Sequence, residues 1–297
     1  MKYIWTTHKF IASTAIIVTS ILTGHSILAA ERYSVQGMVL KVDRSQKSFL
    51  VSHDIIPGFM QAMTMPFEVR DIKELNGLAP GTMVEFTLVV DRNSAYAERL
   101  RLRPYVTAEQ DPLTARRLKL VKELDATHSA RQLQVGQAVP DFALTDQARR
   151  SVSLLQFRGK VIAINFIYTS CALPQFCYRT ANNFGAVERR FKKQMGRDLV
   201  LLTVTFDPAR DQPERLAEYA SQWDANPENW RFLTGAPTEI SLVCGMFGVD
   251  YFPDEGLLSH STRTALIDRQ GNLLANLEGN QFNATQLADL VETALKR

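Results

Sequence analysis

The sequence predicts two folded domains of different class, a small all-β domain followed by an α/β domain. Residues 33–103 contain five short strand-like segments separated by turn-forming residues, which is typical of an all-β fold. From Val135 onward, apolar strand-like runs alternate with segments of helical periodicity, as in α/β domains. The length of 297 residues exceeds the usual size of one domain and agrees with this division.

The N-terminus predicts export. Lysines flank the beginning of an apolar run over 11–22, and Ala30 precedes the first acidic residue, Glu31. The run is shorter than the roughly 20 residues that a membrane-spanning helix needs. We therefore expect residues 1–30 to form a cleaved signal peptide, with a retained N-terminal membrane anchor as the alternative. Either form predicts a periplasmic or other extracytoplasmic location.

The charge of the chain does not favour a nucleic-acid partner. The full chain carries a net charge of +3, and removal of residues 1–30 takes away two lysines and no acid. The remainder has 32 basic and 31 acidic side chains, a net charge of +1. Proteins that bind phosphate backbones carry a basic surplus, which this chain lacks. We expect no nucleic-acid binding.

The first domain, residues 33–104, is predicted to be a small five-stranded, OB-like β-barrel. Five short strands within so few residues suit a small barrel, and Pro104 ends the pattern. Residues 105–134 are predicted to be a linker, with a helix over 112–127 where apolar residues recur at helical spacing. The predicted strands are Ser34–Val42, Ser48–His53, Met63–Val69, Thr82–Val90 and Ala95–Arg103.

The second domain is predicted to span residues 135–297. The apolar runs Val161–Tyr168 and Leu199–Phe206 have the composition of central strands covered on both faces. A helical pattern over 184–195 lies between them. The order of strand, helix, strand, helix, hairpin and helix is that of a thioredoxin-like domain. The later predicted elements are a helix over Pro213–Trp223, a hairpin over Leu266–Leu274 and a helix over Thr285–Lys296.

Two cysteines, Cys171 and Cys177, follow the first central strand in the segment Cys-Ala-Leu-Pro-Gln-Phe-Cys. A helix N-terminus favours thiolate, so this position favours redox chemistry or binding of a soft metal. A structural disulfide is the alternative interpretation. Three cysteines are too few for a disulfide scaffold in an exported chain of this length. Cys244 shares a helical face with apolar residues, and we interpret it as a buried thiol without a function.

Several motifs of the second domain resemble the SCO/SenC family. They are Val135–Gln147, Gly159-Lys160, the cysteine pair, Thr205–Asp211, and His260 before the hairpin. The resemblance implies a thioredoxin-like fold that binds copper through Cys171, Cys177 and His260. It also implies a role in assembling the binuclear copper site of cytochrome c oxidase. The family usually has three residues between its cysteines, whereas this chain has five, as in a variant group of the family. The longer loop favours a disulfide, a different copper geometry, or both.

The chemistry of this donor set agrees with copper. Two thiolates and one imidazole form a soft set that suits Cu(I), and three ligands leave a face open for transfer. Cu(II) is the alternative oxidation state. Zinc usually takes a fourth ligand, and the sequence offers none nearby. From the residues alone, the simpler interpretation of His260 is a polar residue at a strand entrance that hydrogen-bonds a neighbouring serine.

The first domain contains a second group of candidate copper ligands. Met63 and Met65 are two residues apart, so on a strand both thioethers face the same side, and thioethers persist as soft ligands in an oxidising compartment. With His53 they resemble the CusF-type copper-binding barrel, which uses a histidine, two methionines and a tryptophan over the metal. Met60 occupies the tryptophan position, next to Phe59, and is a candidate third sulfur ligand. The alternative is that the methionines pack in the core and His53 faces solvent.

These observations predict a copper metallochaperone rather than an enzyme. The barrel would capture copper from a donor protein, and the site of Cys171, Cys177 and His260 would hold it. A cytochrome c oxidase subunit or another copper acceptor would then take it by ligand exchange. One alternative is a thiol-disulfide oxidoreductase that keeps the acceptor cysteines reduced, in which Cys171 attacks, Cys177 resolves and His260 is dispensable. The other is a copper-resistance protein that sequesters the metal.

Overall fold

The computed structural model describes residues 30–92, 94–103, 116–117, 120, 132–171, 174–254 and 257–297. Nearly all of the predicted signal peptide and of the predicted linker helix lies outside these residues. Among the described residues, no helix combines the length and the apolarity needed to cross a membrane.

The first domain is an antiparallel five-stranded sheet in the order β3-β2-β1-β4-β5, and the five predicted strands are confirmed. A bridge between Val69 and Ala97 joins the end of the third strand to the fifth, so the sheet curls into a partly open barrel. An apolar cluster that includes Phe49, Phe67 and Phe86 fills its interior. The strands are β1 (Glu31–Asp43), β2 (Ser48–His53), β3 (Met63–Glu68), β4 (Met83–Val90) and β5 (Ala95–Leu102).

The second domain is built on a seven-stranded sheet in the order β14-β13-β8-β9-β10-β6-β7. Strands β8, β9 and β10 are parallel to one another, and their remaining neighbours are antiparallel. The strands are β6 (Ala143–Asp146), β7 (Ser151–Ser153), β8 (Val161–Ile167), β9 (Leu199–Thr205), β10 (Trp230–Thr234), β13 (Arg263–Ile267) and β14 (Leu273–Glu278). A separate two-stranded ribbon consists of β11 (Tyr251–Asp254) and β12 (Leu257–His260).

In the described part of the second domain four α-helices cover this sheet, and the thioredoxin-like class predicted from the sequence is confirmed. Every residue of β8 and β9 is buried, as expected for their continuous apolar runs. The first helix ends at Arg190, earlier than the helical pattern over 184–195 predicted, and the chain then turns at Gly196 with φ +75° to enter β9. The helices are α1 (Arg179–Arg190), α2 (Pro213–Ser221), α3 (Pro237–Phe247) and α4 (Ala284–Leu295).

The two domains share an apolar core. Met38, Leu40 and Met83 of the barrel belong to the same buried cluster as the α/β core. The turn before β4 brings Gly81 against β14, where a Cβ atom on this glycine would collide with the Leu277 side chain. Gly81 also has φ +89°, a left-handed backbone that favours glycine. The barrel is therefore packed onto the second domain through direct side-chain contacts.

We expect Gly81→Ala to destabilise the protein more than Gly271→Ala does. Both glycines have positive φ, but a Cβ at Gly271 would meet nothing within 4 Å. Both substitutions introduce the same kind of backbone strain. The difference between their losses of unfolding free energy therefore measures the clash between the domains, which we expect to be about 1–3 kcal/mol. Urea denaturation of both variants measures this difference. Equal losses would contradict close packing at Gly81.

Candidate metal centres

The cysteine pair lies between the end of β8 and the start of α1. The backbone amide of Cys171 donates to the carbonyl of Tyr168 at 3.3 Å, which turns the chain directly after the strand. Cys177 lies in a π-helical turn, Pro174–Tyr178, that leads straight into α1. This wide turn contains the last three of the five residues between the cysteines. Cys171 is half-buried and Cys177 is 3% exposed, and the two are not joined by a disulfide.

The pairing of β13 with β8 brings His260 to the cysteines. In this antiparallel pair Thr264 lies opposite Asn165, and His260, the last residue of β12, lies three residues before the start of β13. The sulfur atoms of Cys171 and Cys177 and one ring nitrogen of His260 lie within 4.8 Å of one another. Three side chains from two distant segments therefore meet in one cluster of possible metal ligands.

The His260 ring is held in one orientation by a hydrogen bond and three aromatic neighbours. Its Nδ1 lies 2.8 Å from the carbonyl oxygen of Ser261. Because a carbonyl can only accept, Nδ1 carries the proton and Nε2 keeps its lone pair for a metal. The ring centroid lies 4.7 Å from that of Phe206, 5.8 Å from Tyr168 and 6.3 Å from Phe176.

The surroundings of this cluster disfavour the charged forms of Cys177 and Tyr168. A hydrogen bond with Cys171, together with burial, raises the pKa of Cys177 well above its usual range. Burial, with the charge of Cys171 as a smaller cause, raises the pKa of Tyr168 to about 12. Cys177 is therefore a protonated thiol at neutral pH without a metal, and a bound metal must displace its proton. Burial also raises the pKa of Cys244, which is enclosed in the apolar core.

A buried carboxylate, which sequence reasoning missed, supports the segment before the cysteines. Asp211 is 0% exposed and accepts hydrogen bonds from the Thr169 amide at 3.0 Å and from the Thr169 hydroxyl at 2.5 Å. The Thr205 hydroxyl donates to it at 2.5 Å. Its carboxylate thus ties the end of β9 to the residue two before Cys171. The segment Asp-Pro-Ala-Arg-Asp was visible as a motif in the sequence, but its partner Thr169 was not.

His53 in the barrel has the same hydrogen-bond arrangement as His260. It is 2% exposed, which excludes the interpretation that it faces solvent. Its Nδ1 lies 2.7 Å from the carbonyl oxygen of Asp54, and its Nε2 is buried with no hydrogen-bond partner. A buried nitrogen with a free lone pair is unfavourable unless something binds it, so His53 suits a metal ligand.

The methionines flank His53 on the barrel. Met63 lies directly opposite His53 in the β2–β3 ladder, and Met65 follows on the same face of β3. Met63 is 51% exposed, whereas Met65 and Met60 are partly buried against the barrel core. One imidazole with neighbouring thioethers is a donor set that fits Cu(I). Phe59, beside the position of the CusF tryptophan, stacks on Tyr33 with ring centroids 4.2 Å apart.

Comparison with known families agrees with both domains. Residues 130–296, more than half of the chain, match the family model described as SCO1/SenC. The chain belongs to the SCO1/SenC family. Residues 32–100 match the model described as copper binding periplasmic protein CusF. Both resemblances predicted from the sequence are confirmed, and copper is confirmed as the metal at the level of these families.

Individual relatives and solved structures are similar to about half of this SCO1/SenC protein. The protein sco1 of Schizosaccharomyces pombe is 30% identical over 141 residues, which cover 45% of this chain and 52% of that protein. The chain thus matches about half the length of that relative. Yeast Sco1, solved with copper bound, is 27% identical over 55% of this chain and 90% of its own, with a TM-score of 0.46. BsSco, described as a member of the Sco family of cytochrome c oxidase assembly proteins, is 23% identical over 56% of this chain and 98% of its own, with a TM-score of 0.46.

We expect Asp211→Ala to lower the free energy of unfolding by about 3 kcal/mol, because it leaves a backbone amide and two hydroxyls near the core without their charged acceptor. Asp141→Ala is the matched control. Asp141 also accepts from a serine hydroxyl and a backbone amide, but it is exposed, so its loss should cost about 1 kcal/mol or less. Urea denaturation of the reduced, metal-free variants measures both losses. A loss for Asp211→Ala no larger than for Asp141→Ala would refute this role of the buried carboxylate.

Proposed function

We propose that this protein is an extracytoplasmic copper metallochaperone that holds copper between Cys171, Cys177 and His260. It delivers the metal to the binuclear copper site of cytochrome c oxidase or to another copper acceptor. The observation that carries the proposal is the convergence of the three ligand atoms within 4.8 Å. The description of BsSco as a member of a family of cytochrome c oxidase assembly proteins supports this acceptor.

The donor set suits a metal ion that the protein binds and later releases. Two sulfurs and one imidazole nitrogen bind Cu(I) through soft contacts, and three ligands leave one side open to an incoming ligand. Half-buried Cys171 gives an acceptor thiolate access to the metal, while Cys177 and the aromatic rings around His260 exclude water from the other side. Ligands of the acceptor replace Cys171, Cys177 and His260 one by one, so the copper ion is transferred without being released into water.

The barrel supplies a second copper site through His53, Met63 and Met65, with Met60 as a further sulfur. The free Nε2 of His53 beside Met63 supports this assignment. Thioethers remain reduced where thiols are oxidised, so the barrel can accept copper from a donor protein in an oxidising compartment. The match of residues 32–100 to a copper-binding periplasmic family supports both the metal and the location.

A thiol-disulfide oxidoreductase is the second candidate, favoured by two neighbouring cysteine sulfurs of unequal exposure. The Cys171 thiolate would attack an acceptor disulfide and form a mixed disulfide with it. Cys177 would then attack Cys171, which leaves an oxidised Cys171–Cys177 pair and a reduced acceptor dithiol. This activity does not use His260.

Copper titration against a Cu(I) chelator tests the first site. Cys171→Ser with Cys177→Ser should remove one tight Cu(I) equivalent from the reduced protein. His260→Ala should retain that equivalent with an affinity at least about tenfold weaker, because two thiolates persist without the third ligand. Cys244→Ala is the matched control and should leave the stoichiometry unchanged. Binding that is indifferent to His260 would instead favour thiol-disulfide exchange.

The same titration tests the barrel. Met63→Leu with Met65→Leu should remove a second, separate Cu(I) equivalent and leave the fold intact, since leucine and methionine have similar volumes. Met38→Leu with Met83→Leu is the control, because these two barrel methionines lie in the core that the domains share. An unchanged stoichiometry in the first variant would make the barrel a structural domain.

A further inference from the structure

The candidate copper ligands of the barrel alternate along the chain with residues that bind α4. Ser52 and Asp54 flank His53, and Thr64 lies between Met63 and Met65. Successive side chains of a strand point to opposite faces, so the ligands and their neighbours face different sides of β2 and β3. Ser52 and Thr64 thus face the second domain, and the ligands alternate with them along the two strands.

One carboxylate receives most of these docking contacts. Oδ2 of Asp289, on α4, accepts from the Ser52 hydroxyl at 2.7 Å and from the Thr64 hydroxyl at 2.8 Å. Ser52 and Thr64 are paired across the β2–β3 ladder, at the rung next to the pair of His53 and Met63. A single oxygen atom therefore joins the two strands beside the ligands.

The Asp289 carboxylate is itself held in place. Its Oδ1 pairs with the guanidinium of Arg190, at the end of α1, at 2.7 Å, and the side chain is only 13% exposed. Arg190 also donates to Glu292, one turn further along α4, at 2.6 Å. Asp289, Glu292 and Met63 line an open cleft of about 750 Å³ between the barrel and α4. The metal face of the barrel thus borders the helix that holds it.

We propose that Asp289 is a positioning residue for the copper site of the barrel. By binding Ser52 and Thr64 it fixes the spacing of β2 and β3 at the rung beside His53 and Met63. Groups that orient metal ligands from outside commonly change metal affinity by about 10-fold to 100-fold. The barrel therefore binds copper with full affinity only while it is docked on α4. This inference rests on the proposed copper site of the barrel.

The test measures Cu(I) affinity in a full-length background with Cys171→Ser and Cys177→Ser, so that the barrel is the site titrated. Asp289→Ala should weaken copper binding by about 10-fold to 100-fold, whereas Glu292→Ala should change it by less than about twofold. Glu292 is a matched control because it lies on the same helix and cleft and pairs with the same Arg190, while its other bond is to Lys296.

A second variant removes the donors and leaves Asp289 paired with Arg190. Ser52→Ala with Thr64→Val should weaken the barrel site as much as Asp289→Ala does. Combining all three changes should add little, because they remove the same interaction. If Asp289→Ala does not fold, this milder variant decides the outcome.

A further measurement separates positioning from general destabilisation. In the protein with both cysteines intact, Asp289→Ala should leave the affinity of the Cys171, Cys177 and His260 site unchanged, while an unfolding variant would lose both sites. Equal effects of Asp289→Ala and Glu292→Ala, or full affinity in the Ser52 and Thr64 variant, would overturn the inference.

The same data distinguish this failure from failure of the proposed function. A parent with Cys171→Ser and Cys177→Ser that binds no copper removable by Met63→Leu with Met65→Leu would refute the barrel site, and the inference with it. A parent that binds copper, with Asp289→Ala binding as tightly, would refute the positioning alone.

Discussion

The antiparallel pairing of β13 with β8 is the constraint on which the cysteine site depends. β8 is buried along its whole length, so the chain that leaves it toward Cys171 starts from a fixed point. β13 is equally buried and antiparallel to β8, so its first residues, which follow His260 closely in the chain, lie at the end of β8 that leads to Cys171. This buried pairing determines which end of β13 lies beside the segment of Cys171, and so brings the segment of His260 to the cysteines.

Both candidate copper sites orient their histidine ring in the same way. In His53 and His260 alike, Nδ1 is bound to a backbone carbonyl of the next residue in the chain, which leaves Nε2 for a metal. The sulfur donors differ, thioethers in the barrel and thiols in the second domain. This difference suits a protein that accepts copper under oxidising conditions and then holds it between thiolates, which bind Cu(I) more strongly because they are charged.

Helix α4 connects the two domains physically. Its Asp289 accepts hydrogen bonds from β2 and β3, the strands that carry His53 and Met63. Asp289 and Glu292 also form ion pairs with Arg190 at the end of α1. The shared apolar core around Met38 and Met83 adds to these polar contacts. The barrel is thus not simply tethered by the linker. It is packed on helix α4, which also pairs with the end of α1.

The sequence by itself determined the secondary structure and the local ligand groups. Alternating and apolar runs predicted the barrel strands and the central strands β8 and β9, since burial on one or both faces leaves a pattern in consecutive residues. The spacing of Met63 and Met65 predicted their common face for the same reason. The meeting of His260 with Cys171 required the register of strands a hundred residues apart. The partners of Asp211 and Asp289 were also decided only by the tertiary structure, because a hydrogen bond between distant segments leaves no periodic signal in the sequence.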